Sequence, residues 1–267
     1  MKSGELIDLD TKKKLLIDML KDIVNFCENN NINYFLSEGT MLGAVRHKGF
    51  IPWDDDIDIM MDLDNYNNFF NNFKSEKYKA LNSENDKEYY YSFGKVVDTR
   101  TYIKEYGNRN ISNMGLYIDI FPVLNFSNNK FIRKVDLFKN EMYSKFNFYY
   151  RINKEELIKR NNYDFKNSLL FNLFHNNING LKRRNRNLLK LGSKSKTNYN
   201  FLSGSVYKEQ AINSRYVDDY IYMDFEGLKC RIPKKYDEYL KSRYHNYMEL
   251  PPIDKRVCPH SNDVFWR

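Results

Sequence analysis

The stretch YFLSEGTMLGAVRHKGFIPWDDDIDIMM, Tyr34 to Met61, carries the pattern that decides the fold. Asn33 to Ser37 reads as a short buried strand, broken by Gly39. Thr40 to Gly49 reads as a short helix, and Ile51–Pro52–Trp53 as extended, because proline biases its predecessor away from helix. Ile57 to Met61 reads as a second strand. Side chains two apart in a strand share a face, so Asp56 and Asp58 project together while Ile57 and Ile59 turn into the core. Two carboxylates held so close repel each other unless a cation offsets them. Mg2+, or Mn2+ in its place, suits such a pair, taking one or two carboxylates together with waters and substrate phosphates. Asp54 and Asp55 add charge beside the pair, Asp54 with the same parity if the extended run starts early. An acidic run is commonly a solvated turn, but Ile51, Trp53, Ile57, Ile59 and Met60 are poor company for one. A calcium loop beginning at Asp54 would need Gly at its sixth position and Glu at its twelfth; those positions hold Ile59 and Asn65.

Upstream, Gly39–Thr40 lies between strand and helix. There glycine lets backbone approach a phosphate, and the Thr hydroxyl and the exposed helix N–H groups can donate to it. Arg46, His47 and Lys48 close the helix, either to offset its C-terminal dipole or to contact phosphate. Asp119 stands between Ile118 and Ile120, where an unpaired carboxylate is costly. It is either a strand-end Asp bonded to backbone or the third carboxylate of the site, as metal ligand or base. Together these residues predict a metal-dependent active site for a nucleotide diphosphate.

The rest of the chain extends that pattern. Leu15 to Cys27 has helical apolar spacing, with Asp10 as its cap and a stop at Asn29–Asn31. Asp64 reads as the cap of a helix through Phe73. Lys77 to Asp119 is β-rich, and a segment rich in Lys and Asn follows, read as two or three helices with breaks near Asn161 and Gly180. Met223 to Pro233 returns to strand-like alternation, before a last helix from Lys235 to Met248. The 267 residues are 42% hydrophobic and 16% aromatic, enough for a sizeable core. Mean hydropathy is −0.73, and no apolar run is long enough for a membrane span. The start, MKSGELIDLD, has no apolar signal region, and the three cysteines have no metal-ligand spacing, so the expected location is the cytoplasm. The net charge of +8 is uneven: residues 130–197 hold 17 Lys/Arg against 5 Asp/Glu. That segment is either a set of solvated helices or a surface for a polyanion or an anionic membrane.

Tyr34–Met61 closely resembles the signature of the LicD family of phosphocholine transferases, a pattern that fukutin and the fukutin-related ribitol-phosphate transferase share more distantly. GLYIDIFPV resembles the family's second motif, and FEGLKCRIPKKYDEYLKSRYHNYMELPP its C-terminal one. The resemblance implies an α+β fold of nucleotidyltransferase type, a small mixed β-sheet flanked by helices. Residues 1–129 would form the catalytic core, 130–200 a basic helical insertion, and 201–267 the remainder of the catalytic domain. Gly39–Thr40 matches the Gly-Ser position of that fold, Asp56 and Asp58 its metal pair, and Asp119 its third carboxylate. A CDP-linked donor is implied, most commonly CDP-choline, with magnesium as cofactor and CMP as product. The acceptor would be a hydroxyl of a bacterial surface glycan or its lipid-linked precursor. The insertion could then rest on the inner face of an anionic membrane, and no nucleic acid partner is expected. CDP-ribitol, CDP-glycerol or CDP-ethanolamine as donor, and true nucleotidyl transfer, are the alternatives. For a choline head, Trp53 and Tyr89–Tyr91 are candidates for an aromatic cage; Lys95, Lys255, Arg256 and His260 are candidates for phosphate. Two positions depart from the family: Glu38 stands where many relatives have Gly, and so does His245.

Overall fold

The computed structural model describes residues 3–160, 164–192, 199–202, 217–258 and 262–267. Helix α1 (Leu9–Asn29) begins at Asp8, whose carboxylate accepts from the Thr11 backbone N–H at 2.8 Å. The cap therefore precedes the expected Asp10, because a polar first turn comes before the apolar stripe. That stripe, Leu15, Leu16, Met19, Leu20, Ile23 and Cys27, is buried as its spacing predicts. Strand β1 (Phe35–Leu36) leads into α2 (Glu38–His47), which ends where Lys48 turns left-handed at φ 59°. Strand β2 (Asp58–Asp62) follows, and Asp62, again two residues before the expected Asp64, caps α3 (Leu63–Asn72).

Strands β3 (Tyr78–Leu81), β4 (Gly94–Asp98), β5 (Thr101–Lys104) and β6 (Tyr117–Phe126) come next. Tyr89 to Ser92, within the stretch read as β-rich, precede β4 as irregular chain. The segment after β6 forms α4 (Lys130–Arg151), α5 (Lys154–Lys159), α6 (Phe165–Phe174) and α7 (Ile178–Gly192). The break expected at Gly180 falls earlier, since Gly180 lies in the first turn of α7. Strand β7 (Tyr199–Leu202), the hairpin β8 (Tyr220–Phe225) with β9 (Leu228–Pro233), α8 (Tyr236–Tyr244) and β10 (Asp263–Trp266) complete the described chain. The strand-like alternation read over Met223–Pro233 thus belongs to a hairpin, turned by Glu226 and Gly227, both with positive φ.

Among the described residues the central sheet is six-stranded and mixed, in the order β1-β2-β6-β4-β3 with β7 also on β6. The β2–β6 pair is parallel and the others are antiparallel. This is the α+β architecture expected, a small mixed sheet with helices beside it. Pro122 sits in β6 between the last residue paired with β4, Ile120, and the first paired with β7, Val123. A missing N–H is tolerated at such a gap. One apolar core joins α1 and β2 to the C-terminal part, packing Leu16, Ile59 and Ile118 with Phe225, Ile232, Leu240 and Val264. Arg231 in β9 ties the same two parts through an ion pair to Glu28 and a 2.9 Å bond to Asn33.

Candidate active site

Asp58 opens β2 and Asp119 is the third residue of β6. The parallel register sets them directly side by side. On the other flank of β6, the antiparallel register sets Lys95 of β4 opposite Asp119. The sheet thus lays out a row, Asp58–Asp119–Lys95, on one face. Ile57, Ile59, Ile118 and Ile120 are buried in the core, as the parity of β2 and β6 requires. Asp56 lies just before the strand begins, so the chain leading into β2 sets its position rather than the pleat. Burial and the charges of Asp56, Asp119, Glu38 and Asp54, in that order, push the Asp58 carboxyl well above its usual range. Four further carboxylates therefore crowd Asp58 closely enough to disfavour its ionised form.

Lys95 offsets part of this charge. Its side chain is only 2% exposed and pairs with the Asp119 carboxylate. The ammonium also lies against three aromatic rings, Tyr117 at 3.4 Å, Tyr91 at 4.7 Å and Phe93 at 5.1 Å from their centroids. Behind them the Tyr90 and Tyr91 hydroxyls donate to buried Glu105 at 3.2–3.3 Å. Of the cage candidates Tyr89–Tyr91, then, Tyr89 and Tyr90 are core residues and Tyr91 faces a lysine. Tyr117 and Phe121 flank Asp119 at spacing two. Strand parity alone would have put them in the site, although only Asp119 was read there.

Local bonds fix the Gly39–Thr40 turn. The Asp58 backbone N–H donates to the buried Thr40 hydroxyl at 2.8 Å, and that of Ser37 to the Asp58 carbonyl at 3.0 Å. Thr40 thus locks α2 to the head of β2. A Cβ on Gly39 would come within 2.8 Å of the Asp54 carboxylate, so glycine lets that side chain lie close against the helix start. Glu38 takes φ 47° and His245 takes φ 54°. Both family-departing positions therefore have backbone that favours glycine. The Glu38 carboxylate is held by Arg243, through Nε at 2.7 Å and a second contact from Nη2, and by the Tyr239 hydroxyl at 2.8 Å. Tyr244 lies beside this pair, its hydroxyl pushed up by burial and by Glu38, Asp58 and Asp54. Helix α8 so closes one side of the site, which no spacing in the sequence signals.

The basic candidates divide. Arg46 donates to the Tyr247 and Glu249 carbonyls at 2.7 and 3.2 Å and to the His47 ring at 2.9 Å. Burial and then Arg256 lower its pKa; burial and then Arg46 lower that of His47. Lys48 accepts at its carbonyl from Glu226 at 3.0 Å. Arg256 sits 5.6 Å from the Trp53 ring and donates to the Pro251 carbonyl at 2.8 Å. Trp53, Arg46 and Arg256 therefore meet beside the acidic loop. His260 lies outside the described residues. Among those described, no three His, Cys, Asp or Glu side chains already form a metal cage. The donor set suits instead a magnesium site of one or two carboxylates completed by substrate phosphates.

Residues 31–182 match the family model described as LicD/FKTN/FKRP, nucleotidyltransferase domain. The chain is 28% identical over 269 aligned positions to the lipopolysaccharide cholinephosphotransferase LicD of Haemophilus influenzae, covering 97% of this chain and 98% of that one. Uncharacterized proteins of Rickettsia typhi and Rickettsia prowazekii are 50% and 53% identical over 52 and 49 residues, 19% and 18% of this chain. The chain belongs to the LicD/FKTN/FKRP nucleotidyltransferase-domain family and is a LicD-type transferase.

Proposed function

We propose that this protein transfers phosphocholine from CDP-choline to a hydroxyl of a bacterial surface glycan or its lipid-linked precursor, releasing CMP. The observation that carries the reading is the Asp58–Asp119 pair on adjacent parallel strands, within a chain alike end to end to a cholinephosphotransferase. Asp56 and Asp58 would hold magnesium, which when bound supplies charge neutralisation on the diphosphate and the departing CMP. Lys95 pairs with Asp119 beside them. The acceptor oxygen bonds to the phosphocholine phosphorus, its proton passes to a carboxylate of this cluster, and the P–O bond to CMP breaks. The Gly39–Thr40 turn positions the donor by holding α2 against β2. Trp53, Arg46 and Arg256 form the flank nearest the donor phosphates. Residues 130–200 we read as an insertion into one catalytic unit, since β7, at its end, returns to β6.

A second reading rests on the aromatic box. Tyr91, Phe93 and Tyr117 already enclose the Lys95 ammonium, which favours an uncharged phospho-alcohol donor such as CDP-ribitol or CDP-glycerol. The test incubates the protein with each CDP-alcohol, magnesium and lipopolysaccharide, and follows CMP. CMP released with CDP-choline supports the first reading, and with CDP-ribitol or CDP-glycerol the second. Pyrophosphate from CTP with a nucleotidylated acceptor would overturn both.

A further inference from the structure

Helix α4 has two unlike faces. Its packed face carries buried Asp136 and Asn140, with Leu137 and Tyr143 against Leu124 and Leu188. The opposite face is apolar and open: Phe131 is 75% exposed, Phe138 62%, Ile132 49% and Val135 36%. At 3.6 residues per turn, Phe131, Val135 and Phe138 form one stripe, with Ile132 at its margin. Exposed Lys130 and Lys134 border it on one side and half-exposed Lys139 on the other. Single exposed apolar residues are ordinary, but two phenylalanines, a valine and an isoleucine together between lysines are not. No helix among the described residues is long and apolar enough to cross a membrane. What this face fits is the boundary of a bilayer, with rings among the acyl chains and ammonium groups at anionic headgroups.

We propose that the Phe131–Phe138 face of α4 seats the protein on an anionic phospholipid surface. Charge complementarity selects that occupant, because the surrounding segment, residues 130–197, holds 17 Lys/Arg against 5 Asp/Glu. The proposal stands on α4 and needs neither the donor nor the metal assigned above.

The test is co-sedimentation of the full chain with phosphatidylcholine vesicles, with and without phosphatidylglycerol, at low and high salt. The wild type should pellet with the mixed vesicles only, and less at high salt. The variant Phe131→Ser/Phe138→Ser should keep its far-UV circular dichroism and bind at least about tenfold more weakly. Lys130→Gln/Lys134→Gln, both at exposed positions, should lose several-fold for each lysine. Wild-type protein left in the supernatant with mixed vesicles would overturn the proposal. So would lysine variants that bind like the wild type, or a solution dimer that the phenylalanine variant dissolves, which would assign the face to a second copy.

Discussion

Any charge on Asp58 stands against the fold, since burial and four neighbouring carboxylates all disfavour its ionisation. Asp58→Asn removes that charge while leaving the backbone bond to Thr40 intact. The expected outcome is a melting temperature in EDTA equal to or a few degrees above wild type, with transfer lowered at least ~1,000-fold. Calorimetry and CMP release check the two halves, and an active Asn variant would remove Asp58 from the site. At His245 the strain is in the backbone. Its φ of 54° and ψ of −110° suit glycine and its side chain is exposed, so His245→Gly should stabilise by ~1 kcal/mol in a urea melt. Glu38 shares the positive φ, but its carboxylate is held by Arg243 and Tyr239, which offsets the same strain. The sequence marked both positions as departures from the family. Only the structure separates Glu38, whose side chain gained partners, from His245, which has none on its side chain among the described residues.

Registry between strands decides what Lys95 does. Read as a phosphate contact, it lies buried as the counter-charge of Asp119 across the β4–β6 pair. Strand parity made β2 and the alternation around Asp119 legible, because those signals are local. Pairing of residues 24 apart depends on register, which no local pattern fixes. The same holds for Glu38 with Arg243 on α8. Helix starts differ for a smaller reason: Asp8 and Asp62 are the caps, and a second Asp two residues on, Asp10 or Asp64, reads equally well as one. Lys95→Met should cost about 3–5 kcal/mol, the penalty of stranding a buried partner. The double variant Lys95→Met/Asp119→Asn should recover most of that loss, since no charge remains unpaired. Chemical denaturation of the four proteins closes the cycle; additive losses would mean that the pair is not coupled.

Across the whole molecule, one core spans α1, the sheet and the C-terminal hairpin, and its two buried thiols report on it. Cys27 and Cys230 are both 0% exposed, in elements from opposite ends of the chain. Burial pushes Cys230 up to about 12 and Cys27 higher still. At mildly alkaline pH both thus stay as unreactive thiols in the folded state, while Cys258 is exposed. A thiol reagent should therefore label Cys258 rapidly and the other two together, only as the core opens. Labelling of Cys230 ahead of Cys27 would show that the hairpin opens by itself. Strand β6 joins two further parts of the molecule. It holds Asp119 near its start, and α4 follows its end. From Asp119 to Phe126 the strand extends about 23 Å at ~3.3 Å per residue. With α4 lying on a bilayer, the length of β6 and the short link after it bound how far Asp119 can stand from the lipid-facing helix. The enzyme would then select acceptors by reach as well as by sugar.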